Sequence, residues 1–134
     1  MSKNRRLFFI LVAVAIVLIV GFFMIRKYNV EKYYTEQRER IELFFHYNYK
    51  DIASITFTSV SKNPMDTLVF SGYFNGDEDE RFTASIMSHE ENFEYHSAVN
   101  GSFSDQHFKR EELNGELVPV SEILKEQENP DRKK

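Results

Sequence analysis

The sequence predicts an α+β protein carried on a membrane helix, and three observations lead there. Leu7 to Ile25 is a nineteen-residue apolar run without a charge. A helical apolar period follows it between Tyr33 and Asn48, and beyond Asp51 the period changes to two, in short runs separated by turn residues. The resulting plan is an N-terminal transmembrane helix, then an amphipathic helix packed on an antiparallel sheet of about four strands, an arrangement of cystatin-like shape. Such a shape fixes no function.

The run LFFILVAVAIVLIVGFFMI sets where the chain sits. At about 1.5 Å per residue it reaches roughly 28 Å, close to the ~30 Å hydrocarbon core, and a helix satisfies its own backbone there. A cleaved signal peptide would have a shorter apolar region ending at small residues. The one such triplet, Ala13-Val14-Ala15, has ten apolar residues behind it. A buried core helix would need a larger protein around it. The span is therefore read as an uncleaved signal-anchor bounded by Leu7 and Ile25, meeting membrane lipid over residues 7–25. Lipoprotein tethering is excluded, because the chain has no cysteine to acylate.

Basic residues flank the span on both sides: Lys3, Arg5 and Arg6 before it, Arg26, Lys27, Lys32, Arg38 and Arg40 after it. A six-residue tail with three basic groups resists translocation, whereas a long domain crosses largely regardless of its charge. Residues 1–6 are accordingly expected in the cytoplasm, residues 26–128 outside it as an α+β domain, and residues 129–134 as a disordered tail.

After the span, Arg26-Lys27-Tyr28 forms an interfacial collar. An amphipathic helix is expected over about Asn29 to Tyr47, with Tyr33, Gln37, Ile41, Phe44, Phe45 and Asn48 on one face. Glu36, Arg38, Glu39, Arg40 and Glu42 lie on the other. Strands are expected at Ala53 to Val60, Thr67 to Phe74, Glu80 to Met87 and Asn92 to Val99. Asn75-Gly76 between the second and third favours a tight hairpin, since both residues tolerate positive φ, and Gly72 marks a bulge or a close contact. A fifth short strand near Glu116 to Val120 or irregular chain comes next. Ser121 then caps a helix through Glu126.

The chemistry-bearing residues are few. Beyond the span fourteen basic residues face twenty-one acidic ones, a net charge of −7, which argues against nucleic acid. His46, His89, His96 and His107 lack the close spacing that pre-forms a zinc site. Asp77-Glu78-Asp79-Glu80 follows the hairpin glycine without the alternation of a calcium loop. Those four acids are expected to solubilise a turn or to meet a basic patch on a protein partner. With no G-x-S-x-G elbow and no phosphate loop, the reading is a non-enzyme with no cofactor and no metal.

Four short motifs carry a resemblance: Glu36-Gln37-Arg38-Glu39-Arg40-Ile41, Tyr47-Asn48-Tyr49-Lys50, Asn63-Pro64-Met65, and Gly72-Tyr73 before the Asn-Gly turn. From Tyr33 to Ile86 the chain resembles a family of small exported proteins of Gram-positive bacteria, the domain of unknown function 1433. The resemblance implies an envelope protein on the outer membrane face. Many members of that family are lipoproteins, so this chain differs in its tether. It implies no catalytic residue. Similar small anchored proteins accompany secreted toxins as immunity proteins. The functional expectation is thus a protein-binding module whose partner is a secreted toxin or an envelope complex. The alternative is a structural or regulatory subunit held through the span itself.

Overall fold

The computed structural model describes residues 2–110 and 112–129. The chain divides into two compact units, Met1–Glu36 and Gln37–Lys134. Helix α1, Lys3–Asn48, covers both the expected span and the expected amphipathic helix.

Within the first unit, α1 is long and apolar enough to cross a membrane, and none of its most apolar stretch is buried by protein. Leu7 is 57% and Ile25 64% exposed. Such a surface is unfavourable in water at about 25 cal/mol per Å².

The second unit is built on the aromatic face of α1. Gln37, Ile41, Phe44, Phe45 and Asn48 are all buried there, as the period predicts. Against them lies a four-stranded antiparallel sheet of order β1-β2-β3-β4, comprising β1 (Ile55–Lys62), β2 (Leu68–Phe74), β3 (Asp77–Ile86) and β4 (Ser97–Val99). Alternation along β2 and β3 sends Phe70, Gly72, Phe74, Phe82, Ala84 and Ile86 inward. Phe45 meets Phe74 and Phe82, each at 4.9 Å between ring centroids, and Phe74 stacks on Phe82 at 4.8 Å. Edge and stacked geometries of this kind add to the area term.

Gly72 is the close contact the sequence allowed for. A Cβ built there would stand 2.0 Å from the Thr56 carbonyl oxygen and 2.8 Å from the Phe82 ring. One bulge faces Gly72, at Thr58 on β1 between the pairs Phe57–Gly72 and Ser59–Ser71, and another lies at residues 78–80, between the pairs Phe74–Asp77 and Tyr73–Arg81. Asn75 (φ 57°) and Gly76 (φ 69°) make the predicted hairpin turn. The Asn75 side chain also accepts from Ala53 N–H at 2.6 Å, tying down the approach to β1.

Several expectations are corrected. β1 begins and ends two residues later than predicted, and β3 starts at Asp77, so the acidic run lies on a strand. The fourth strand is only Ser97–Val99. Residues 92–94 are held by α1 side chains in place of a ladder. Gln37 Oε1 accepts from Phe93 N–H (2.8 Å), Gln37 Nε2 donates to Asn92 Oδ1 (2.8 Å), and Arg40 donates to Phe93 O (3.0 Å) and Glu94 Oε1 (2.7 Å). Arg40 therefore does not sit on a purely solvated face.

No strand forms near Glu116 to Val120. The Asn48 side chain instead pairs with the backbone of Val118, accepting its N–H at 2.8 Å and donating to its carbonyl at 3.1 Å, and it also donates to the Phe44 carbonyl at 2.9 Å. A helix the sequence did not announce, α2 (Gly101–His107), is capped by Asn100, and its Phe103 stacks on Phe74 at 4.6 Å. The last helix, α3 (Val120–Glu128), is preceded by Pro119 without a side-chain cap. Ser121 is not the cap, and its N–H donates to Glu94 Oε2 at 3.1 Å. Of the expected disordered tail, residues 130–134 lie outside the described residues.

Gln37→Ala removes both hydrogen bonds to residues 92 and 93 and leaves the buried Phe93 N–H without a partner. A loss of about 1–3 kcal/mol is expected. Thermal melting should show that loss, and the Phe93 amide should exchange with solvent faster than in the parent.

Candidate protein-binding surface

Two surface features of the second unit come from its sheet, the acidic run at the start of β3 and the β1 edge. Asp77, Glu78 and Asp79 are exposed and Glu80 is half-buried. Their carboxylates do not converge. Asp79 N–H donates to Asp77 Oδ1 (3.0 Å), Arg81 Nε donates to the Glu78 carbonyl (2.9 Å), and Asn100 Nδ2 reaches the Asp79 carbonyl (3.4 Å). Glu80 Oε2 is buried and accepts no hydrogen bond among the described residues. No cluster of three or more potential metal ligands occurs among the described residues.

The histidines are dispersed. His46 and His89 are exposed, and His96 Nε2 lies 3.1 Å from Glu90 Oε1. His107 stacks on Phe103 at 4.1 Å with Nδ1 3.1 Å from its carbonyl. Ser59-Val60-Ser61-Lys62 has the S-x-x-K spacing of some acyl-transfer enzymes. On a strand, however, positions three apart point to opposite faces, and Lys62 Nζ pairs with Asp66 at 2.7 Å.

The solvent face of the sheet carries a shallow groove of about 480 Å³, bordered by Ser59, Ser71, Tyr73, Glu78, Arg81 and Thr83. Tyr73 and Arg81 are cross-strand partners within it. The groove is lined by hydroxyls with one cation and one carboxylate.

β1 is the outer strand of the sheet. Its register can be fixed by two bonds at its ends: Asn75 N–H to Ser54 O (2.9 Å) and Asn63 N–H to Thr67 O (3.0 Å). Antiparallel alternation then turns the backbone of Thr56, and beyond the bulge of Ser59 and Ser61, toward β2. The backbone groups of Ile55, Phe57 and Val60 face away from it.

Residues of the four motifs hold the fold. Gln37, Arg40 and Ile41 secure residues 92–94 or fill the core, and Asn63 Oδ1 accepts from Met65 N–H and Thr67 N–H at 3.0 and 2.9 Å. In the Tyr47–Lys50 motif, Asn48 joins Val118, Tyr49 bridges to Phe108 and is buried, and Tyr47 donates a short hydrogen bond to Glu126. Burial, then that hydrogen bond and the Glu126 charge, push the Tyr47 phenol up to about 12 from an ordinary 10.0. Because the folded value is the higher one, the bond's contribution is fully present below pH 10 and is lost as pH rises toward 12. Tyr33 and Tyr49 are also raised by burial, so an alkaline ultraviolet titration should show one fewer late-ionising tyrosine in Tyr47→Phe than in the parent.

No curated protein matches the chain. A solved structure that it resembles is the solution NMR structure of the folded 79-residue fragment of Lin0334 from Listeria innocua. The TM-score is 0.55 and the identity 23%, with 71% of this chain and 94% of that chain covered. At that identity the likeness speaks to the fold alone. The model of one family, described as a protein of unknown function (DUF1433), matches residues 33–125. That span takes in the long helix's aromatic face, the whole sheet and the start of α3, and on it the chain belongs to the DUF1433 family.

Proposed function

We propose that this is a single-pass membrane protein whose N-terminus lies in the cytoplasm and whose sheet domain stands outside, where it binds another protein without catalysis. The observation that carries the reading is the apolar stretch of α1, with Leu7 57%, Leu18 68% and Ile25 64% exposed. Lipid removes the cost of that exposure. The following domain offers the acidic start of β3 and an open sheet edge as a binding surface. Within this reading the partner is a secreted toxin that the domain neutralises, and the family resemblance motivates that choice.

The test is cross-linking of intact cells that produce the chain, with and without an unrelated apolar span in place of residues 7–25. A discrete adduct that survives the exchange supports a partner held by the outer domain. An adduct lost on exchange supports the other reading, a subunit held through its span, and absence of any adduct in the parent overturns both.

A further inference from the structure

We infer that the β1 edge accepts an extended segment of the partner as a fifth strand, antiparallel to β1, with apolar side chains toward α1 and a basic residue at the end lying beside Ile55. This rests on the protein-binding reading above and names its surface.

Three observations converge on β1. The backbone groups of Ile55, Phe57 and Val60 face out of the sheet, and among the described residues they make no hydrogen bond outside it. Unsatisfied donors in register are what strand addition uses. Next, the side chains of these three residues lie on the core side, opposite Phe74, Gly72 and Phe70, and all three are half-buried. Phe57 packs on Phe82 at 5.6 Å and on Phe70 at 6.3 Å, so the aromatic core runs to this edge. An added strand with alternating apolar residues would cover it. The solvent-side neighbours are Thr56, Ser59 and Ser61, which suit hydroxyl or small polar partners.

Charge sets the direction. Phe74 pairs with Ile55 on one side and Asp77 on the other, which places the exposed acids Asp77, Glu78 and Asp79 at the Ile55 end. At the opposite end Lys62 is held by Asp66. An antiparallel segment therefore brings its C-terminal end to the acidic end of the sheet. The acids lie two strands across from β1, on the strand that also carries Arg81, and a Lys or Arg there is favoured by long-range attraction alone. The bulge at Thr58 interrupts the edge, so a segment that pairs from Ile55 to Val60 carries a matching irregularity. The other sheet edge offers less: β4 has three residues.

The experiment uses the full chain in detergent micelles and a synthetic seven-residue peptide alternating valine and threonine with a C-terminal lysine. Amide hydrogen exchange at Ile55, Phe57 and Val60 should be fast in the free protein. With peptide it should slow at least tenfold at these residues and leave Thr56, Ser59 and Ser61 unchanged. Val60→Pro deletes an outward donor while sparing the β1–β2 ladder. It should melt like the parent and lose protection at Ile55 and Phe57. Exchanging the peptide's lysine for glutamate should weaken binding by about twofold at low salt.

Unchanged exchange at saturating peptide, or equal protection in Val60→Pro, overturns the strand-addition site, and indifference to the terminal charge overturns the assigned direction. If cells producing Val60→Pro still give the parent's cross-linked adduct, the edge proposal falls and the protein-binding reading stands. If the parent gives none, the reading itself falls.

Discussion

Phe45→Ala is expected to cost the sheet domain about 3–5 kcal/mol of stability. Phe45 is fully buried and meets Phe44, Tyr49, Phe74 and Phe82 at ring distances from 4.9 to 5.8 Å. Truncation removes the ring and leaves a cavity that rigid neighbours cannot fill, a cost of about 3–5 kcal/mol. Domains of this size are stable by roughly 5–15 kcal/mol, so the loss is a substantial share of the margin. Urea unfolding of the full chain in micelles, followed by circular dichroism of the sheet signal, measures this. A shift under about 1 kcal/mol would contradict the packing described.

Gly72→Ala is the second large effect, although it adds one methyl to a strand. That methyl would meet a backbone oxygen at 2.0 Å, and relief requires β1 to move off β2. Overpacking commonly costs about 1–3 kcal/mol and more where backbone must shift. The same substitution at Gly21, with nothing within 4 Å, should leave the domain's melting unchanged. If the two variants melt alike, the close approach of β1 and the Phe82 ring to Gly72 is wrong.

These two sites also show which parts of the chain were legible. The spacing of Gln37, Ile41, Phe44, Phe45 and Asn48 is a local property of a helix, and all five are buried as expected. Asn75-Gly76 has a turn preference of its own, and the turn forms. Asn114-Gly115 shares that signature, with φ of 55° and 78°, yet joins no strands, because its neighbours have other partners.

Phe93 and Tyr95 alternate with Glu94 and His96 as a strand would, but the Phe93 N–H is taken by a side chain fifty-six positions away. No local pattern encodes such a bond. Helix α2 was hidden because it is short and has one buried apolar residue, Phe103. The β1 edge depends on a bulge at Thr58 that no glycine in β1 announces. The sequence could indicate an edge strand without saying which backbone groups it turns outward. The hairpin acids were legible as a solvated cluster, and their position at one end of that edge was not, since it needs the register of three strands.

The side of the membrane that the sheet domain occupies decides which partners it can meet. Protease treatment of intact protoplasts producing the chain, with an epitope tag added after Lys134, tests it most directly. Loss of the tag while a cytoplasmic control protein survives is the predicted result. A tag protected until the membrane is breached would place the domain in the cytoplasm and contradict both the outward topology and a partner met outside the cell.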